Sequence, residues 1–163
     1  MVRCALLQLV VLAGCARAVP EPTPDPVDPL DAVVGVVHPP RRADIIERSS
    51  YLVEESDKGR WVVAELIVRS PSMRAVSLDE VIARAPATRW RTVAVQRVSP
   101  GDSLFPVHLG TCEVSGRHDR LVIGVGNPSV TVPVRHAWRI DTVAKRFVGL
   151  DAATVHCVDL TGS

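Results

Sequence analysis

Four cysteines, five histidines and one tight Ser-His-Asp cluster are the side chains of this 163-residue chain whose types could do chemistry. Cys112 and Cys157 suit three chemistries: a disulfide, a metal site using Cys112 with His108 and His118, or a thiol nucleophile assisted by His136 or His156. The metal reading lacks the tight Cys/His pairing of structural zinc sites. His38, His108, His118, His136 and His156 stand singly, with no His-x-x-x-His or His-Glu-x-x-His to put two ligands on one helix face, so neither metal nor cofactor is expected. Gly-x-Ser-x-Gly and Ser-x-x-Lys, which would mark a serine nucleophile, are both absent. Ser115-Gly116-Arg117-His118-Asp119 gathers triad residue types, but neighbours in sequence point apart, and glycine among charged residues is the composition of a solvated turn. No catalytic residue is therefore expected, and the chain reads as a non-enzyme.

Met1–Cys15 combines a short start bearing Arg3, about ten mostly apolar residues and a small-residue end, the plan of a signal peptide. As a helix, ten residues would span about 15 Å, half of the ~30 Å hydrocarbon core, so cleavage is expected and a permanent span is not. Leu12-Ala13-Gly14-Cys15 resembles the lipobox of bacterial prolipoproteins. That resemblance implies a signal peptide over 1–14, cut before Cys15, with a diacylglyceryl group on the Cys15 thiol and further acylation, palmitate included, of the new amino terminus. A thiolate is a much better nucleophile than a serine oxygen at moderate pH, which is why the position must be cysteine. Two acyl chains anchor stably without a transmembrane helix. The alternative is an ordinary secretory signal cut after Ala16 or Ala18, with Cys15 incidental. Cys4 lies in the segment to be removed. The absence of Asp after Cys15 implies, by the same resemblance, the periplasmic leaflet of the outer membrane. In such a compartment an even cysteine pair reads as a bridge, Cys112 to Cys157, whose loop closure contributes about 4 kcal/mol.

The segment 15–31 carries Pro20, Pro22, Pro24, Pro26 and Pro29 interleaved with Glu21, Asp25, Asp28 and Asp31. Alternating proline fixes φ and removes donors, so an extended, self-repelling stalk reaching up to roughly 50 Å is expected. The folded domain is then 32–163. The chain has 19 basic and 18 acidic residues, and the near-zero balance removes the basic surface of a nucleic-acid binder.

The elements that must position these side chains are short β-branched runs bounded by turn residues, the pattern of a β-rich domain, all-β or α+β, with an antiparallel sheet, sandwich or meander. Strands are expected at 51–53 and 61–68, joined by a turn at Ser56-Asp57-Lys58-Gly59, then at 90–98, 111–114, 121–125, 129–134, 137–141 and 154–160. Val130, Val132 and Val134 alternate with Thr131 and Pro133, as on an edge strand. Ser77-Leu78-Asp79-Glu80 has the form of a capping box and predicts a short helix over 78–85, stopped by Pro86. Gly124-Val125-Gly126 is followed by Asn127-Pro128 and reads as a turn, not a phosphate loop. Trp61, Trp90 and Trp138 are expected in the core. Beyond the lipobox no family pattern transfers an activity. The function expected is a lipid-anchored binding or interaction module of the cell envelope, with an envelope protein or cell-wall partner and no nucleic acid. The alternatives are an inhibitor of a periplasmic enzyme such as a lysozyme, for which Ser115–Asp119 is the candidate loop, and a small periplasmic hydrolase, which would need a pocket uniting His, Ser and an acid.

Overall fold

The computed structural model describes residues 28–55, 59–69, 73–84 and 86–158. The lipobox, Cys15, the stalk up to residue 27, Ser56–Lys58 of the expected turn, Ala85 and Leu160 lie outside the described residues. Along the chain come β1 (Val37–His38), β2 (Ile45–Glu55), β3 (Gly59–Val68), β4 (Met73–Ala83), β5 (Arg89–Arg97) and β6 (Val107–Leu109). They are followed by β7 (Cys112–Val114), β8 (Arg117–His118), β9 (Val122–Val125), β10 (His136–Asp141), β11 (Arg146–Leu150) and β12 (Val155–Cys157). All pairings among the described residues are antiparallel: a five-stranded sheet β1-β5-β4-β3-β2, a four-stranded sheet β11-β10-β9-β6 and a three-stranded sheet β12-β7-β8. The protein is β-rich, as the short β-branched runs predict.

Both faces of the five-stranded sheet are covered. On one, Val53, Trp61, Val63, Val76 and Leu78 pack against Ile123, Val125 and Ile140 of the four-stranded sheet. On the other, Ala64, Leu66, Val68 and Ala75 lie under Leu30, Val33 and Ile45, from the segment that leads into β2. Leu30, within the expected stalk, is thus 1% exposed and part of the core. Two-sided burial explains why β3 reads as an almost continuous apolar run and not as an alternating one.

The helix expected at 78–85 does not form: residues 78–83 belong to β4, between β3 and β5. Among the described residues, helical structure is confined to three 3-10 turns, Asp31–Val33, Pro100–Asp102 and Ala152–Thr154. The capping-box residues have other partners. Ser77 donates to Asp79 at 3.1 Å, and Glu80 accepts from Arg91 and Lys145 at 2.8 and 3.0 Å. A two-turn helix has little stability of its own, whereas a central strand buries Ala75 through Asp79 on both faces, and tertiary packing overrides the local signal.

The strand expected at 129–134 is also absent. Only a single bridge, Ser129 to Cys157, is made there, and Val130 and Val132 are exposed. Pro128 and Pro133 withhold donors, and the Ser129 hydroxyl takes the Thr131 and Val132 amides, closing a local turn in place of a ladder. Conversely, Gly124 and Val125 are strand, not turn. β1, β6, β8 and β11 carry no run that announces them, and β2 starts at Ile45, before Tyr51.

β12 lies beside β7 with Cys157 directly opposite Cys112, and the two sulfurs are bonded at 2.04 Å with both residues fully buried. Gly124 of β9 passes beneath. A Cβ there would stand 2.4 Å from the Cys157 sulfur, so the strand can lie against the bridge only as glycine.

Candidate functional site

Glu65 sits in the middle of the apolar β3 run and is 3% exposed. A buried carboxylate needs a charged partner, and Arg74 of β4 supplies it: Nε and Nη2 donate to Oε1 at 3.0 and 2.5 Å. The remaining Arg74 nitrogen, Nη1, donates to the carbonyls of Ser103 and Phe105 at 2.7 and 2.8 Å and to that of Asp102 at 3.3 Å. One guanidinium therefore pins the 99–106 loop to the five-stranded sheet. That loop carries Asp102, buried, whose carboxylate accepts from Arg135 Nε at 2.6 Å and lies 2.8 Å from His136 Nε2. Arg135 also covers the Phe105 ring, 4.6 Å from its centroid. His136 starts β10 and stacks beside Trp138, centroids 6.1 Å apart and planes at 19°.

These contacts frame a cavity of about 580 Å³. Its walls are Leu30, Ile67, Met73, Val98 and Trp138; Arg48, Arg74, Arg97 and His136 bring charge or polarity, and Ser99 and Ser103 add hydroxyls. The volume falls within the range of small-molecule sites, and the lining is of the usual kind: mostly apolar, with a few convergent polar groups. The pieces come from β2, β3, β4, the 97–103 segment and β10, which no local pattern joins. Glu65 is the exception, because a lone acid inside an apolar strand signals a buried ion pair.

A second polar cluster lies on the other face of the five-stranded sheet. Asp79 is fully buried and accepts from Thr92 Oγ1 at 2.6 Å and Arg41 Nη2 at 2.7 Å, besides Ser77. His38 Nε2 lies 3.5 Å away and its ring stacks on Trp90 at 5.7 Å. Burial by itself pushes the Asp79 carboxyl up; the facing His38, the Thr92 hydroxyl and the Arg41 charge overcome it and hold the group below its ordinary value. Arg41 and His38 both precede β2, so this carboxylate ties the leading segment onto the sheet. Glu80 is lowered as well, first by Arg91 and then by Lys145.

The residues singled out by type fall apart in space. Cys112 and Cys157 are bonded to each other, so neither the thiol nor the metal reading survives. His108 Nε2 meets the Gly126 carbonyl at 2.9 Å, and His118 Nε2 meets that of Gly110 at 3.1 Å. Ser115 and Gly116, at φ 51° and 76°, form the turn between β7 and β8, and Asp119 pairs with Arg139, so the Ser-His-Asp run is a hairpin end. Of the tryptophans, Trp61 is buried in the core while Trp138 is partly buried and lines the cavity. Among the described residues no three His, Cys, Asp or Glu side chains gather as a metal site would need, and no helix is long and apolar enough to cross a membrane. The chain matches no family model, no curated protein and no solved structure.

Proposed function

We propose that this chain is a lipid-anchored cell-envelope domain that binds a ligand in the cavity between β10, the 97–103 loop and the ends of β2, β3 and β4. The observation that carries the reading is the cavity itself, an apolar hollow with three guanidiniums and one imidazole converging on it. The anchor is argued from Leu12-Ala13-Gly14-Cys15, whose thiol would carry the diacylglyceryl group, with the outer membrane's periplasmic face as the location. Native mass spectrometry of the protein isolated from envelopes tests the binding: a bound small molecule is expected, and it should be lost in Val98→Trp, which fills the hollow. A protein that is empty in both forms refutes the reading.

A second reading, a small hydrolase, is favoured by one observation. Asp102 and His136 form a carboxylate–imidazole pair, and His136, Ser99 and Ser103 line the same cavity. Turnover of activated esters that disappears in His136→Gln would establish it, and equal rates in the two proteins would dismiss it.

A further inference from the structure

The charges around the cavity differ in how fully they are already used. Arg74 is saturated by Glu65 and three carbonyls. Among the described residues Arg48, 60% exposed, has only a 3.7 Å approach to Glu65 Oε1, the oxygen Arg74 already holds. Arg97, 47% exposed, pairs with Asp28 through Nη2, while Nη1 reaches only the Met73 sulfur at 3.7 Å. None of the lining residues is acidic, and the nearby carboxylates Glu65, Asp28 and Asp102 are each engaged by an arginine. The rim therefore offers guanidinium donors to an incoming anion, and no buried pair has to break. Below the rim the walls are hydrocarbon: Leu30 is 1% exposed and Val98 6%, with Ile67, Met73 and Trp138 beside them.

We propose that the ligand is a single-chain anionic amphiphile, its carboxylate or phosphate head held by Arg48 and Arg97 and its acyl chain lying against Leu30, Ile67, Met73 and Trp138. Guanidinium is suited to such heads because its planar fork bonds two oxygens at once, and the flexible methionine accommodates a chain of varying shape. The inference rests on the binding reading above and specifies its ligand. The head has two sources, a free fatty carboxylate or a monoacyl phospholipid, and both present the same chemistry to the rim.

Calorimetric titration of the full mature chain carrying Cys15→Ser, which leaves off the anchor and every competing acyl group, tests it with decanoate, decyl phosphate, decanol and inorganic phosphate. Decanoate and decyl phosphate should bind, with decanol and inorganic phosphate each at least about tenfold weaker. Arg48→Gln, whose arginine has only the one long contact and so should leave folding intact, should weaken both amphiphiles about tenfold, and added salt should weaken them further. Comparing a long-chain fatty acid with a monoacyl glycerophosphate then identifies the source by the tighter arm. Decanol binding as well as decanoate, inorganic phosphate binding as well as decyl phosphate, or indifference to Arg48→Gln each overturns the proposal. If no amphiphile binds while the isolated protein carries another molecule that Val98→Trp expels, this inference falls and the binding reading stands. If the isolated protein is also empty, both fall.

Discussion

Asp79→Asn is the substitution that most directly tests how the leading segment is held. The carboxylate has no exposure and takes hydrogen bonds from Arg41, Thr92 and Ser77, so two oxygens serve three donors in a region closed to water. Asparagine keeps one oxygen and turns an NH2 toward groups that also donate, so Arg41 loses its buried counter-ion and keeps only the exposed Glu47, which its Nε meets at 2.9 Å. Breaking a buried pair in this way costs about 3–5 kcal/mol, a large part of the roughly 5–15 kcal/mol that holds a domain together. The pH dependence follows from the lowered carboxyl. Its folded value is below its unfolded one, so its contribution is present in full above the unfolded value, about 3.9, and is lost as pH falls through the folded value. Denaturant unfolding at pH 7 should show the loss, and between about pH 5 and 3 the stability of the variant should fall less steeply than that of the parent. Glu80 and Asp44 are lowered too and act in both proteins, so the difference between the curves isolates Asp79. Hydrogen exchange localises the effect: the Gly35 and Thr92 amides, bonded to the carbonyls of Thr92 and Val36 at 2.8 and 3.1 Å, should lose protection first. A loss under about 1 kcal/mol, or identical slopes in acid, would refute the account of Asp79 as the anchor of this segment.

Cys112→Ser opens a loop of sequence separation 45 and should lower stability by about 4 kcal/mol in the chain-entropy model; a melting temperature equal to that of the oxidised parent would contradict this. Gly124→Ala forces a Cβ to within 2.4 Å of the Cys157 sulfur and should destabilise by about 1–3 kcal/mol in denaturant unfolding; an unchanged midpoint would show that β9 does not press on the bridge. Arg74→Gln leaves the buried Glu65 with only the 3.7 Å approach of exposed Arg48 and releases the 99–106 loop, so about 3–5 kcal/mol should be lost and the loop should become cleavable by protease, whereas resistance equal to the parent's would count against the clamp. Cys15→Ala should abolish incorporation of labelled palmitate with the melting temperature of the domain unaltered; labelling that persists would end the lipobox reading.

Much of this protein can be read without coordinates wherever a local pattern is also the global arrangement. Alternating or continuous β-branched runs announce β3, β5, β9 and β10, because strand periodicity depends only on neighbouring residues. An even pair of cysteines points to the Cys112–Cys157 bridge because few other pairings are available. Local signals fail where distant surfaces decide the outcome. Ser77-Leu78-Asp79-Glu80 satisfies a helix-start rule, yet β3 and β5 claim both sides of the segment, and its polar side chains find partners at Thr92 and Arg91 of β5 and at Arg41 and Lys145 from outside those strands. Val130, Val132 and Val134 alternate like a strand, but the segment meets β12 only at its ends, through the Ser129 and Val134 amides, and bulges away between them. The cavity is the extreme case. Arg48, Arg74, Arg97 and His136 are ordinary polar residues in sequence, spread over four strands, and nothing but the packing of two sheets and one arginine-pinned loop brings them to a common hollow. Which residues form strands is a property of short stretches of chain; which of their charges meet depends on how the buried faces of the sheets register against one another, and that register exists only once the tertiary structure has formed.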